Sequence, residues 1–223
     1  MWNRSKRIVS RKRKGLYTVI VSIAVLLLII LSIMFRSISE KRQEQRAIEE
    51  AQALMPAGIQ DNFLEPNEFS RPGTALGEVH GVVIHYTANP GTGAEANRNY
   101  FNNLPKINKK KESKTYASSH FVIGIEGEIV QCIPLNEIAY ASNDRNVDTI
   151  SIECCHKRKS GKFTDATYLS LVQLTAYLCK KYQLTEKNVI RHYDVTEKIC
   201  PKYFVDHEDA WQQFLADVAA KLT

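Results

Sequence analysis

The apolar and polar residues of the chain alternate in short segments after about residue 78, whereas a long uncharged run lies near the N-terminus. Runs of β-branched and other apolar residues predict strands at 79–85, 119–125, 128–133, 149–154 and 188–191. The second and third runs are joined across Glu126-Gly127, which indicates a β-hairpin. These segments therefore predict at least one sheet with an antiparallel pair.

Apolar residues at helical spacing predict two longer helices, at 165–182 and 207–222. Thr164 is placed to cap the first of them. Its expected core positions are Tyr168, Leu171, Val172, Leu178, Cys179 and Tyr182. A shorter helix is predicted at 94–103, and 106–114 is predicted to be a polar loop. Strands mixed with helices predict the α/β class, with a mixed central β-sheet flanked by helices.

Residues 16–35 contain no charged side chain. A helix of this length extends about 30 Å, the thickness of a hydrocarbon core, so the run predicts a transmembrane helix. The seven Lys and Arg residues within 1–14 place the N-terminus in the cytoplasm and the rest of the chain outside. A signal peptide is the alternative, but the run ends in Phe35-Arg36-Ser37 without a small-residue cleavage site. We therefore expect an uncleaved single-pass anchor.

The segments between this anchor and the first predicted strand differ in composition. Residues 37–54 are rich in Glu, Gln, Arg, Lys and Ala, which predicts a helical stalk. Residues 55–77 hold three prolines and three glycines, which predicts a linker or a wrapping arm. The predicted organisation is a basic cytoplasmic tail (1–14), a transmembrane anchor (15–36), a stalk (37–54), a linker (55–77) and one α/β domain (78–223).

The net charge and the number of cysteines indicate which kinds of binding partner are expected and whether disulfides hold the fold together. The net charge is +6, and removing the seven positive charges of the tail leaves −1 for the remainder. The chain therefore lacks the basic surface that nucleic-acid binding requires, and its basic tail would meet anionic lipid. The five cysteines are odd in number and include the adjacent pair Cys154-Cys155, which does not favour a disulfide scaffold.

His192 and Cys200 are eight residues apart around a polar segment that is predicted to be a loop. An imidazole with a thiolate suits zinc, but a catalytic zinc needs a third protein ligand. His85, at the end of a predicted strand, is one candidate, and His120 competes with it when the residues alone are considered. Strand alternation places Glu153 on the face opposite the isoleucines of its strand, away from the helix-packed core.

Four segments together carry a resemblance to a known family: GVVIHYTAN (81–89), SSHFVIGIEGEIVQCIPLNEIAYAS (118–142), TISIE (149–153) and NVIRHYD…KICP (188–201). They resemble the N-acetylmuramoyl-L-alanine amidases of bacteria and phages, which are zinc peptidoglycan hydrolases related to the peptidoglycan-recognition proteins. The resemblance covers about residues 78–204. It implies the fold of that family for the predicted α/β domain.

The resemblance also implies roles for individual residues. The zinc ligands would be His85, His192 and Cys200. Glu153 would act in catalysis, Lys198 would lie near the reacting oxygen, and His120 would lie at the substrate cleft or serve as a structural histidine. Tyr86, Tyr140 and Tyr193 are expected to be wall or core aromatics.

The activity implied by the resemblance is zinc-dependent hydrolysis of the amide between the lactyl group of N-acetylmuramic acid and L-alanine in peptidoglycan. With the predicted anchor, the enzyme would act in cell-wall remodelling from a bacterial cell membrane, with its domain extracytoplasmic. The alternatives are a non-catalytic peptidoglycan-binding module, a docking protein of a division complex, and a phage endolysin. Cys200 argues against the first, Glu153 and Lys198 against the second, and a permanent anchor against the third.

Overall fold

The computed structural model describes the backbone of residues 2–223 and the side chains of 25–223 except residues 44 and 47. The chain divides into two compact units, Met1–Ile48 and Glu49–Thr223. Helix α1, Trp2–Leu54, includes the predicted stalk. Among the residues with described side chains, no helix is long and apolar enough to span a bilayer. The predicted span 16–35 lies partly outside those residues, because the described side chains begin at residue 25.

The second unit contains a six-stranded sheet in the order β1-β4-β3-β5-β2-β6. The strands are Gln60–Asp61 (β1), Gly81–Tyr86 (β2), Phe121–Ile123 (β3), Ile129–Gln131 (β4), Thr149–Cys154 (β5) and Val189–Arg191 (β6). Only β3 and β4 pair antiparallel, and they form the predicted hairpin. The other neighbours pair parallel. The predicted mixed α/β sheet is confirmed, and all five predicted strands are present, although several are shorter than expected.

Six helices follow α1 along the chain. They are Ala94–Asn102 (α2), Leu104–Asn108 (α3), Asp165–Lys181 (α4), His192–Thr196 (α5), Lys202–Asp206 (α6) and Glu208–Leu222 (α7). Helix α4 begins as predicted, because the Thr164 side chain accepts a hydrogen bond from the Thr167 N–H. The helices predicted at 94–103, 165–182 and 207–222 correspond to α2, α4 and α7.

The two faces of the sheet carry separate apolar clusters. The larger cluster contains the isoleucines of β5, the apolar face of α4 and the aromatic residues of α7. The smaller cluster joins β3 and β4 to α2, with Phe101 and Leu64 among its buried members. Alternation along β2 and β5 directs one set of side chains into the larger cluster. The opposite set, which includes His85 and Glu153, is therefore available for a site.

Two local predictions were wrong. The start of the predicted loop 106–114 is helical, because it belongs to α3, which begins at Leu104. This helix has a proline in its first turn, where proline is well tolerated. The segment after His192 is helix α5 rather than a loop. Its start is stabilised by Asp194, whose Oδ2 accepts the Arg191 N–H at 2.8 Å. The helix ends at Thr196, and the capping residue Glu197 has a left-handed φ of 61°.

The proline-rich segment 55–77 is part of the compact unit Glu49–Thr223. Its strand β1 pairs with β4, and Leu64 is 1% exposed within the smaller cluster. The Arg71 guanidinium binds the Glu137 carboxylate through two hydrogen bonds of 2.8 Å. These contacts agree with a wrapping arm, one of the two interpretations of the composition.

Candidate metal centre and cleft

The parallel strands bring the candidate residues to one edge of the sheet. His85 and Glu153 are partners in the register of β2 and β5. Strand β6 pairs with the other side of β2, and His192 follows it as the first residue of α5. Because carboxyl ends of parallel strands meet at the same edge, sites in open α/β sheets form there. The sheet therefore brings together residues that are more than one hundred positions apart in the sequence.

His85, His192 and Cys200 form a buried cluster whose potential ligand atoms all lie within 4.8 Å of one another. The Nδ1 of His85 is 3.8 Å from the Sγ of Cys200. Two ligands of one tetrahedral zinc, with bonds of about 2.1 and 2.3 Å, are roughly 3.6 Å apart. All three residues are less than one-tenth exposed. The spacing therefore suits a single ion.

The protonation of these groups also suits a metal. Burial lowers the pKa of His85 well below its ordinary value, and it lowers the pKa of His192 as well, so both imidazoles are neutral and keep a lone pair. Burial raises the pKa of the Cys200 thiol to about 12. A buried thiolate is stable only beside a positive charge, which a bound cation would supply. Two imidazoles and one thiolate form a donor set that fits zinc.

The three cluster residues line a cleft of about 420 Å³, together with Glu153 and Lys198. The sheet thus brings five of the six predicted site residues to one cavity. Phe101, Tyr116 and Tyr140 line the same cleft and give it an aromatic wall. Charged and metal-ligating groups therefore share one cavity with apolar surface.

Glu153 is the acidic group of this cleft. Its Oε2 is buried and has no hydrogen-bond partner among the residues described. Burial raises the pKa of Glu153 to about 7, and the positive charge of Lys198 opposes that rise. A carboxyl group with a pKa near neutrality can both accept and donate a proton at physiological pH. Glu153 thus has the properties of a general base.

Lys198 lies on the exposed segment between α5 and Cys200. Its side chain lines the cleft, and its charge lowers the pKa of His85, of His192 and of Glu153. An ammonium group at this place can stabilise negative charge that develops on a substrate oxygen.

His120 is not among the residues that line this cleft, and two roles were considered for it, substrate contact and a structural histidine. Its Nδ1 accepts the Ser151 N–H at 3.0 Å, so its Nε2–H donates to the Glu137 carbonyl at 3.0 Å. The side chain is 1% exposed, and burial lowers its pKa to about 4. Both ring nitrogens are satisfied by protein groups, which is the arrangement of a structural histidine.

Several residues in the cleft or in contact with its histidines carried no recognisable signal in the sequence. Ser142 contacts His85, because its Oγ is 3.1 Å from Nε2. Asn143 contacts His192, with its Oδ1 at 3.3 Å from Nε2. Thr87 also lines the cleft, and its buried Oγ1 has no partner among the described residues. Thr87 lies in segment 81–89 and Ser142 lies in segment 118–142, both of which carried the resemblance. Their spacing within these segments did not identify them as site residues.

The chain is similar to known proteins over most of the sheet unit. Residues 75–203 match the family described as N-acetylmuramoyl-L-alanine amidase (Amidase_2). The N-acetylmuramoyl-L-alanine amidase CwlL of Bacillus licheniformis is 36% identical over 173 residues, which cover 72% of this chain and 46% of the relative. The N-acetylmuramoyl-L-alanine amidase BlyA of Bacillus subtilis is 32% identical over 184 residues, which cover 73% of this chain and 47% of BlyA. The chain therefore spans about half the length of the curated relatives it matches.

Solved structures show the same fold. The catalytic domain of XlyA superimposes with a TM-score of 0.59 at 28% identity, covering 72% of this chain and 98% of that domain. The PlyG catalytic domain superimposes with a TM-score of 0.60 at 22% identity, covering 74% of this chain and 95% of that domain. Because the identity with the PlyG catalytic domain is 22%, this second match supports the fold alone.

Proposed function

Because the chain belongs to the N-acetylmuramoyl-L-alanine amidase family, we propose that it is a zinc-dependent, membrane-anchored amidase of peptidoglycan. It cleaves the amide bond between the lactyl group of N-acetylmuramic acid and the L-alanine of the stem peptide. The observation that carries this proposal is the buried cluster of His85, His192 and Cys200 in a cleft that also contains the acid Glu153, whose Oε2 has no hydrogen-bond partner among the described residues.

The zinc would be held by His85, His192 and Cys200. When bound there, it supplies Lewis acidity that favours attack of water on an amide carbonyl. Three protein ligands leave one position open in a tetrahedral centre, as in other catalytic zinc sites. This donor set distinguishes the proposed enzyme from a recognition module that only binds the wall.

Glu153 moves the proton. The attacking water transfers one proton to the Glu153 carboxylate while its oxygen bonds to the carbonyl carbon. The carbon–nitrogen bond then breaks, and Glu153 returns the proton to the departing amino group of L-alanine, so that the Glu153 carboxylate is regenerated. Its raised pKa of about 7 supports both transfers, since the acid and base forms are both accessible near neutral pH.

Lys198 stabilises the negative charge that accumulates on the carbonyl oxygen during the attack. Its place on the cleft wall supports this role. Removal of a single donor of this kind typically slows turnover by about 10²–10³-fold. The aromatic wall of Phe101, Tyr116 and Tyr140 offers apolar surface against which a substrate can pack.

The test uses the full chain, purified in mild detergent and incubated with purified peptidoglycan, with mass spectrometry of the released fragments. We expect free stem peptides that begin with L-alanine, and their loss when a chelator is present. Added zinc should restore their release. Binding of the wall without release of any peptide would overturn the proposed activity in favour of a recognition module.

The proposed anchor is residues 16–35, which lack charge and follow a basic tail. In the part of this run with described side chains, the large apolar residues are exposed, as in Leu28 (65%) and Phe35 (74%). A helix that is apolar on all sides is stable when lipid surrounds it. Such an anchor would place the sheet unit on the extracytoplasmic side of a bacterial cell membrane, within reach of the nearby wall.

Fractionation of cells that express the full chain, or a variant lacking residues 2–36, tests the anchor. The full chain should remain in the membrane pellet after alkaline carbonate extraction, and the deletion variant should not. Release of the full chain by carbonate would contradict anchoring, without bearing on the amidase activity.

A further inference from the structure

One short loop contacts a ring nitrogen of both histidines of the metal cluster. The Nδ1 of His85 faces Cys200, and its Nε2 lies 3.1 Å from the Oγ of Ser142. The Nε2 of His192 lies 3.3 Å from the Oδ1 of Asn143. Ser142 and Asn143 are consecutive, so a single turn of the chain contacts one candidate ligand in β2 and another at the start of α5.

The chemistry of the Asn143 contact selects one tautomer of His192, whereas the Ser142 hydroxyl can either donate to His85 or accept from it. The Asn143 Oδ1 can only accept, so the Nε2 of His192 must carry the proton and donate it. Its Nδ1 then keeps a lone pair for a metal. Similarly, a neutral His85 whose Nε2–H donates to Ser142 presents an unprotonated Nδ1 toward Cys200. Partners of this kind orient metal-binding histidines and raise their basicity.

The loop that carries the two residues is itself braced. The Asn146 Oδ1 accepts the backbone N–H of Ala141 at 2.9 Å and that of Ser142 at 2.6 Å. The Ser142 side chain is 1% exposed, so few other rotamers are open to it. Asn143 has a φ of 52°, a left-handed conformation that asparagine tolerates better than most residues.

We propose that Ser142 and Asn143 form a histidine clamp, a pair of positioning residues that hold His85 and His192 with Nδ1 directed at the zinc. Asn146 keeps the clamp in place. The inference rests on the zinc centre of the proposed function and extends it to residues outside the ligand set. The clamp would act by pre-arranging both imidazoles before the metal arrives, which lowers the entropy lost on binding.

The test measures zinc affinity of the full chain by competition with a chromophoric chelator. Ser142→Ala and Asn143→Gly remove the two hydrogen-bonding groups. Glycine is chosen because it adopts the left-handed conformation without strain. Each variant should bind zinc about 10–100-fold more weakly than the wild type. Asn143→Asp, which retains an acceptor oxygen, should stay within about threefold.

Val147→Ala is the matched control, because its side chain lies in the same loop region and is 59% exposed. It should leave zinc affinity unchanged. Nitrogen-15 spectra of the zinc-free protein provide a second measurement, since they report which imidazole nitrogen carries the proton. Wild type should show the Nε2–H form of both ligand histidines, and each clamp variant should show a tautomer mixture for its own partner.

Zinc affinities within about threefold of wild type for both variants, together with unchanged tautomers, would overturn the clamp. If Ser142→Ala failed to fold, Asn143→Gly would still decide the question, because Asn143 is a surface residue. Failure of the wild type to bind zinc would instead overturn the proposed zinc centre. In that case the tautomers, which are measured without metal, would still test the clamp.

Discussion

His85 and Glu153 are direct partners in the register of two neighbouring parallel strands. Partners on adjacent strands point to the same face of a sheet, so a candidate metal ligand and a candidate general base stand side by side. Neither residue is on a loop tip, and strand pairing holds both backbones. The relative position of the candidate metal ligand and the candidate base is thereby set by the sheet itself, which favours the precision that a catalytic site requires.

Glu153→Gln should abolish turnover while leaving zinc binding intact. The amide occupies nearly the same volume but cannot accept the proton of water, so we expect peptide release to fall by about 10²–10⁴-fold. The measurement is the rate of stem-peptide release from purified peptidoglycan, with the zinc content of the same sample. A variant that retained more than one-tenth of the wild-type rate would contradict the role of general base.

Lys198→Ala should lower kcat by about 10²–10³-fold, because it removes a positive charge that stabilises the developing oxyanion. The Michaelis constant should change much less, since this contact strengthens only in the transition state. Lys187→Ala is the control, an exposed lysine in the turn Glu186–Asn188 that precedes β6. Equal effects of the two substitutions would indicate a general charge effect and not a specific contact.

Metal removal should inactivate and destabilise the protein together. At a zinc concentration 1,000-fold above Kd, binding adds about 4 kcal/mol to the free energy of unfolding. For a chain of this size that corresponds to a rise in Tm of roughly 8–16 °C. Thermal unfolding with chelator, and then with excess zinc, measures the change.

Cys200→Ala should lose this zinc-dependent rise in Tm. Cys132→Ala, which alters another buried free cysteine in the smaller apolar cluster, should retain it despite a lower baseline stability. A similar zinc response in both variants would mean that Cys200 is not a ligand.

The pairing of Arg71 with Glu137 should make stability depend on pH in the acidic range. The Arg71 hydrogen bonds hold the pKa of Glu137 below its ordinary value, so the folded state favours the ionised carboxylate. The stabilisation is therefore complete above the unfolded pKa and is lost as the pH falls through the folded pKa. Glu137→Gln should cost about 1.5–3 kcal/mol at pH 7 and little at pH 3.

Denaturant unfolding of wild type and variant between pH 3 and pH 7 measures this difference. Lys157→Met is the control, since the pair of Lys157 with Glu126 is 57% and 79% exposed. That pair should contribute less than about 1 kcal/mol at any pH. A Glu137→Gln effect that did not shrink toward pH 3 would contradict the ion pair as its cause.

Local patterns in the sequence were sufficient to predict the main elements of the sheet unit. Strand β5 and helix α4 were predicted within one residue at each end, because alternation and helical periodicity reflect which side chains face a core. The loop predictions failed at α3 and α5. Both are single-turn helices, too short to show a periodic pattern, and α5 depends on the Asp194 hydrogen bond.

The residue types of the metal centre could be predicted from motifs, and the tertiary structure decided which residues meet. His85, Glu153 and His192 come together because β2 pairs with β5 on one side and with β6 on the other. For His120 the sequence left a substrate-binding role and a structural role open, and the hydrogen bonds of its ring to Ser151 and Glu137 became visible only in the structure. Ser142 and Asn143 contact the histidines only through folding.

The physical reason for this division is the range of the interactions involved. Propensity, capping and apolar periodicity act between residues a few positions apart, so they are visible in a single sequence. Three other features depend on residues far apart in the chain. They are the order of the strands, the hydrogen bonds between the candidate ligand histidines and other side chains, and the placement of the arm 55–77. Only packing and hydrogen bonding in three dimensions determine them.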